Sequence, residues 1–444
     1  MRRAIFGVLA ISLGLLIKSC DTTDPPDNKS LALKLEDVSC TEAWIELTTT
    51  NLQLPTTITL KQTNPTGDTK SHILNLISKD SLLYIDSLLP NKSYQYLASN
   101  IEHQVSSNEL SVITMDTTSH NFTLQTWTFG EHSHSRLNDV AIINDNIWAV
   151  GEIYMNDSLG NPDPNLYNLI KWNGSNWKVE RVYYNYQGSN FLAPLRSIFA
   201  FSENDVWVGS NQPMHWNGIM WEKWDLLGNV WEGWINRIWG SSSPIGIGND
   251  LYVVGNNGNI ARYFNGTWSG IESGTDVDLK NIWGAPDGTV WACGYSGDYA
   301  ISSLLKISGQ KIEKIYEGYS SNQNNGYYIG PISGVWGTIN IRIYLMNWSG
   351  IYIQANSNNL FLEKEIAKFS DVGFGIAGTD DNNIFSCGEG FVGHWNGISY
   401  TEYPELYKSS RTFLNVSVKG NTVAAVGSDY NSFIYSQAVI ALSK

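Results

Sequence analysis

Residues 195–221 read LRSIFAFSENDVWVGSNQPMHWNGIMW. Three short apolar runs, LRSIFAF, DVWVG and MHW, are separated by turn-forming residues, and the last ends in Asn217-Gly218. Apolar runs of strand length broken by polar turns are the pattern of a β-meander. The same pattern recurs in both directions from this stretch. A first strand is marked by Val140, Ile198, Ile238, Ile282, Val335, Val372 and Val416, at spacings of 58, 40, 44, 53, 37 and 44 residues. A second reads WAVG at 148, VWVG at 206, YVVG at 252, WACG at 291, YLMN at 344, IFSCG at 384 and AAVG at 424. A third ends in KWNG, HWNG, YFNG and HWNG, at Asn173, Asn217, Asn265 and Asn396. Asn-Gly supplies the two positive φ angles of a type I′ hairpin, so each of these turns is expected to open a fourth strand.

Four strands in each of seven units predict an all-β chain with a seven-bladed β-propeller over 120–444. The second strands are apolar on both faces, as expected where small sheets are sandwiched between neighbours. The seventh unit runs out at 439–444 after its third strand, while FTLQTWTF at 122–129 precedes the first unit without partners. Pairing of that N-terminal strand with the last blade would close the ring and leave no free inner edge. The IWG, VWAVG and HWNG repeats resemble those of a broad group of bacterial propellers.

Upstream, 31–117 carries seven short alternating runs, LALKLEDVSC, AWIELTT, TITLKQT, HILNLIS, LLYIDSL, SYQYLAS and ELSVITMDT, enough for a β-sandwich. With Trp44 early, Leu89-Pro90 followed by Tyr94, and the exit SNELSVITMDT, this segment resembles a fibronectin type III domain. The resemblance implies a spacer or adhesive module, with Trp44 as the buried tryptophan and Tyr94 at the tyrosine corner. The first residues, MRRAIFGVLAISLGLLIKSC, combine two arginines, an apolar run and a small residue before Cys20. Fourteen apolar residues suit a secretory leader better than a permanent span. The arrangement resembles a bacterial lipoprotein signal peptide at 1–19. The resemblance implies a lipid on Cys20, a polar tether over 20–30, and export to the bacterial cell envelope, at the outer membrane or cell surface. Lys18 departs from the family pattern, and plain secretion with cleavage near Ser19 is the alternative. A net charge of −14 repels phosphate backbones and argues against nucleic acid as a partner.

No catalytic residue, metal site or cofactor is expected. Cys40, Cys293 and Cys387 read as buried free thiols. His132 and His134 are two residues apart in a loop and lack further ligands for a metal. His215 and His394 stand at equivalent repeat positions, where other units place Lys171 and Tyr263, which argues for packing. SENDVW and APDGTVW resemble the Asp-box of sialidases, a folding element of those propellers, without the arginine triad that the family's activity needs. Two groups point to a ligand. Arg196, Arg237 and Lys280 stand just before the first-strand markers of three consecutive units, where they could hold a carboxylate or acidic sugar, or pair with Asp139 and Asp371. The loops over 183–194, 225–234 and 317–331 crowd Tyr184, Tyr186, Trp231, Trp234, Tyr319, Tyr327 and Tyr328 beside amides, a composition of recognition surfaces. The resulting expectation is a non-catalytic platform for a protein or glycan, held on a membrane through its N-terminal lipid. The alternatives are an envelope enzyme acting on glycans at the channel mouth and a structural spacer without a specific ligand.

Overall fold

The computed structural model describes residues 28–444 apart from 187–188, 225–230, 232, 243–248, 340–341, 355–358, 433–434 and 444. The leader at 1–19 and Cys20 lie outside the described residues. The described residues divide into two units, the first made of 28–38, 42–88 and 92–114, the second of 39–41, 89–91 and the described part of 115–444.

In the first unit, residues of alternating polarity form β1 (Ser30–Val38), β2 (Ala43–Thr50), β3 (Thr56–Thr63), β4 (Thr69–Leu76), β5 (Asp80–Ile85), β6 (Ser93–Asn100), β7 (Val105–Ser106) and β8 (Leu110–Ile113). One sheet has the order β1-β2-β5; the other runs β4-β3-β6, with β7 and β8 both on β6. Leu31, Leu33, Ile45, Leu47 and Ile85 meet Ile58, Leu60, Tyr96, Ala98 and Val112 in one core. Trp44 is buried, but period-two alternation puts it on the face of β2 opposite Ile45 and Leu47, beside its cross-strand partner Tyr84. It is therefore not the tryptophan of the sandwich core.

In the second unit, seven sheets of four antiparallel strands follow one another. They are called sheets 1 to 7 below. Their first strands are Arg136–Ile143, Ser197–Ser202, Ile235–Ser242, Leu279–Gly284, Ile332–Ile339, Gly373–Asp380 and Arg411–Lys419. The fourth strand of sheet 7 is β9 (Leu124–Phe129), which pairs with Tyr435–Ser443 in the register Trp127 to Ile440. Each first strand packs beside the next, and that of sheet 7 beside that of sheet 1. The second strands are buried on both faces because each contributes to the clusters on either side of its sheet; Ala149 and Val150, for example, fall in different clusters.

Two details differ from the sequence reading. The first strand of sheet 6 is aligned with its sisters by Ile376, which pairs with Ser386; Val372 lies one residue before the strand begins. Of the four Asn-Gly turns, Asn265-Gly266 alone is a two-residue loop with positive φ at both positions. Asn173, Asn217 and Asn396 open four-residue loops, and only the following glycine has positive φ. In these loops the Asn side chain replaces a backbone acceptor: Oδ1 of Asn217 takes the N–H groups of Ile219 and Met220, and Asn396 does the same for Ile398 and Ser399.

Candidate functional site

The site's geometry follows from an irregularity at the start of the first strands. The register slips by one residue between Leu137 and Asp139, Ile235 and Arg237, Leu279 and Asn281, Ile332 and Gly334, Gly373 and Gly375, and Phe413 and Asn415. Each slip is a β-bulge that leaves one residue out of the ladder and re-aims its neighbours. The extra residues latch sheets together. Asn138 Nδ2 donates to the carbonyl of Leu195, Asn236 Nδ2 to that of Leu279, and Ser333 Oγ to that of Gly373. The residues after the bulge form a second ladder: Asp139 accepts the N–H of Ile198, Ser197 Oγ that of Ile238, and Asn281 Oδ1 that of Val335.

This frame separates the three cations that the sequence placed together. Arg237 follows the bulge. Its guanidinium reaches Asp139 of sheet 1, at 3.0 Å, and Asn415 of sheet 7, whose own amide donates to Asp139. Asp139 is buried and the Arg237 side chain is only 14% exposed, so this is a structural tie of the kind weighed as the alternative from sequence. Arg196 and Lys280 stand one position earlier: Lys280 is the residue that the bulge leaves out, and Arg196 directly precedes the first strand of sheet 2. The Arg196 guanidinium stands over the exposed Trp234 ring, 4.3 Å from its centroid, with its charge disfavoured by burial and by Arg136. Lys280 pairs with Asp278 at 3.0 Å. The loop aromatics divide as well. Trp231 is buried against Gly255, Tyr184 stacks on Phe191, and Tyr327 packs on Tyr352. Tyr319 and Tyr328 are exposed, while the side chain of Tyr186 lies outside the described residues. His132 turns to the carbonyl of Met155 and His134 to Ser436, so the two imidazoles do not converge.

His215 and His394 are packing groups, as their recurrence implied. His215 stacks on Trp207 with Nε2 at Asp205, and His394 stacks on Phe385 with Nε2 at Asn383. The corresponding residue in sheet 3 is Arg262, which pairs with Asp250 and faces Tyr252; Tyr263 is its neighbour on the other face. Lys171 over Trp148 completes the series.

At the far end of the same first strands the sequence reading missed a cavity. It holds about 500 Å³ and is lined by Trp239, Trp283, Trp336, Ser241, Thr338, Thr379 and Asp380, with Gly284, Gly337 and Gly378 between them. The signal was present in the IWG repeats, which look like blade packing until their register is known. Three residues at one position of consecutive sheets are tryptophan, and each is followed by glycine. The reason is steric: a Cβ on Gly284 would stand 2.1 Å from the Trp239 ring, and one on Gly378 would stand 2.8 Å from the Trp336 ring. Each indole thus rests on the glycine of the next sheet. At the same position sheet 2 carries Phe199, which does not line the cavity, and sheets 6, 7 and 1 carry Ala377, Ser417 and Ala141, so the large rings stand on one side only. Trp239 and Trp283 are partly exposed and Trp336 is 9% exposed.

The rim is fixed by a buried network. Arg342 and Asp381 form an ion pair buried to 0% and 2% exposure, and Asp381 also accepts the hydroxyls of Tyr344 and Thr338. The Asp381 amide donates to Asp380 Oδ1 at 2.9 Å. Asp380 is exposed by surface area, but partial desolvation by its neighbours still pushes its carboxyl above the ordinary range, against the pull of Arg342. The result is an acceptor held beside three aromatic surfaces.

No protein-family model matches the chain. No curated protein matches it either. Among solved structures it is similar to the WD40 β-propeller domain of Doa1, with 13% identity and a TM-score of 0.51 over 73% of this chain and 97% of that one. The fold is that of a β-propeller. The chain also matches the computationally designed Ika8 protein, with 11% identity and a TM-score of 0.44 over 70% of this chain and 98% of that one. A gluconolactonase from Xanthomonas campestris matches with 9% identity and a TM-score of 0.38, over 71% and 97%. The last two are too distant to say more.

Proposed function

We propose that this chain is a lipid-anchored protein of a bacterial cell envelope, in which a fibronectin type III-like module carries a seven-bladed propeller closed by its own N-terminal strand, and that the propeller is a non-catalytic binding platform. The observation that carries the binding role is the one-sided tryptophan wall around the 500 Å³ cavity. Partly exposed indoles beside hydroxyls and one carboxylate form a surface that hides apolar area once a ligand covers it. The basic residues favoured from sequence contribute less, because Arg237 and Lys280 are already engaged with Asp139 and Asp278. The leader and Cys20 supply the anchoring part of the reading, and two acyl chains there would hold the protein on a membrane without spanning it.

Two measurements test this. Cys20→Ser should move the protein from the membrane fraction to the soluble fraction; unchanged retention removes the anchor. Oxidation of exposed tryptophans should be slowed at Trp239 and Trp283 by fractionated envelope material that is recovered chemically unchanged. Recovery of a shortened or modified ligand would make the protein an enzyme, and unaltered oxidation would make it a spacer.

A further inference from the structure

We infer that the tryptophan-walled cavity is a binding site for a neutral oligosaccharide, whose sugar rings lie along the partly exposed Trp239 and Trp283, with the buried Trp336 backing the wall, while their hydroxyls donate to Asp380 and meet Thr338 and Thr379. The inference rests on the platform reading and names its ligand class. The first argument is spacing. The indoles belong to three successive sheets, each set against the glycine of the next, so the wall runs across the sheets and matches an extended ligand. A cage for one ammonium group needs rings converging within about 6 Å of it. Among the described residues the ring contacts of Trp239 and Trp336 are to Tyr252 and Tyr344 of their own sheets, not to each other or to Trp283.

The second argument is chemical pattern. A pyranose ring has an apolar face of polarised C–H groups, which suits the negative face of an indole, and a rim of hydroxyl donors. The lining alternates in the same way, with Trp239 and Ser241 from one strand, Trp336 and Thr338 from another, and Thr379 and Asp380 from a third. Asp380 is the charged member of this lining, and an ionised carboxylate only accepts hydrogen bonds. A sugar supplies the matching O–H donors. A proline-rich peptide would also stack on tryptophan but presents carbonyl acceptors, which Asp380 opposes. The same carboxylate and the net charge of −14 select against an acidic glycan. A cavity of about 500 Å³ lies within the usual range for small-ligand sites.

The test is calorimetric titration of the full chain with β-1,4-linked hexaoses of glucose, N-acetylglucosamine, mannose and xylose, and with decaproline. At least one hexaose should bind, with a change in tryptophan fluorescence, and its disaccharide should bind at least tenfold more weakly. Trp283→Ala should weaken the hexaose at least tenfold. Because Trp283 also packs between sheets, Asp380→Asn, at an exposed position, is the second variant; a loss of three- to tenfold with an unchanged circular dichroism spectrum is expected. Arg196→Ala should bind as the wild type does. Absence of binding by every hexaose overturns the inference, as does binding unaffected by both Trp283→Ala and Asp380→Asn. Decaproline binding without sugar binding would leave the platform standing and remove the glycan; binding of neither probe would count against both.

Discussion

Asp139 gathers more of the molecule than any other side chain described above. It accepts from its own strand at Val140, from Ser197 and Ile198 of sheet 2, from Arg237 of sheet 3 and from Asn415 of sheet 7. Removing one partner of a buried pair leaves the other charge uncompensated, at a cost of about 3 kcal/mol or more. Arg237→Met should therefore lower the urea midpoint markedly, and adding Asp139→Asn should recover part of the loss; a midpoint within error of wild type would show that the tie is dispensable. His394 offers a pH-dependent counterpart. Its Nδ1 lies 3.0 Å from Nδ1 of His120, so one ring must donate and the other accept. Burial, and then the neighbouring His120, lower its pKa from 6.5 to about 3. The unfolded chain therefore binds the proton more readily than the folded one. Stability is fully present above pH 6.5 and is lost as pH falls toward 3, with on the order of 2 kcal/mol gone by pH 5. Unfolding midpoints at pH 7 and pH 5 should differ less in His394→Gln than in the wild type. The packing role of His394 was legible from its recurrence with His215. Its pairing with His120 was not, because 274 residues separate the two.

Among the elements, the bulged first strand decides which side chains meet. Arg196, Arg237 and Lys280 look alike as cations just before the first-strand markers, but Arg237 precedes its marker by one residue and Arg196 and Lys280 precede theirs by two. The bulge at Asn236 puts Arg237 on the face turned to other sheets, whereas Lys280 is the bulged residue itself and Arg196 precedes its strand. The offset can be read from the spacing, but which face each side chain then takes is decided by the bulge, which the sequence does not show. The tryptophan–glycine pairs follow the same logic, since the two members belong to neighbouring sheets. Gly284→Ala should push the Trp239 ring off its seat, because the new Cβ would stand 2.1 Å from it. Overpacking of this kind costs about 1–3 kcal/mol, and the thermal midpoint should fall while the tryptophan emission shifts. An unaltered spectrum would mean that the ring moves freely. In the turn after the third strand of sheet 2, Asn217→Ala removes an acceptor used by two N–H groups and should cost about 1 kcal/mol. Asn217→Asp, which keeps the acceptor, should be nearly neutral.

For the molecule as a whole, the strand Leu124–Phe129 is the element on which the proposed closure depends. It covers the edge of Tyr435–Ser443, where Val439, Ile440 and Ala441 are fully buried. An exposed apolar edge strand is a template for association. A chain beginning at residue 120 should run as a monomer in size-exclusion chromatography, and one beginning at 130 should aggregate; equal behaviour would disprove closure by this strand. That strand could be read from the sequence, because a three-strand unit at one end and an orphan strand at the other require each other. The sequence by itself determined the all-β class, the four-strand repeat and its number, since hydrophobic period and turn residues are local properties. Three Asn-Gly turns were placed correctly but mistyped, because a side-chain acceptor can replace the backbone geometry that the dipeptide suggests. Tertiary structure alone decided the candidate site. Trp239, Trp283 and Trp336 are 44 and 53 residues apart along the chain, and only the packing of successive sheets, each indole on the next sheet's glycine, turns residues that read as repeated core into one wall.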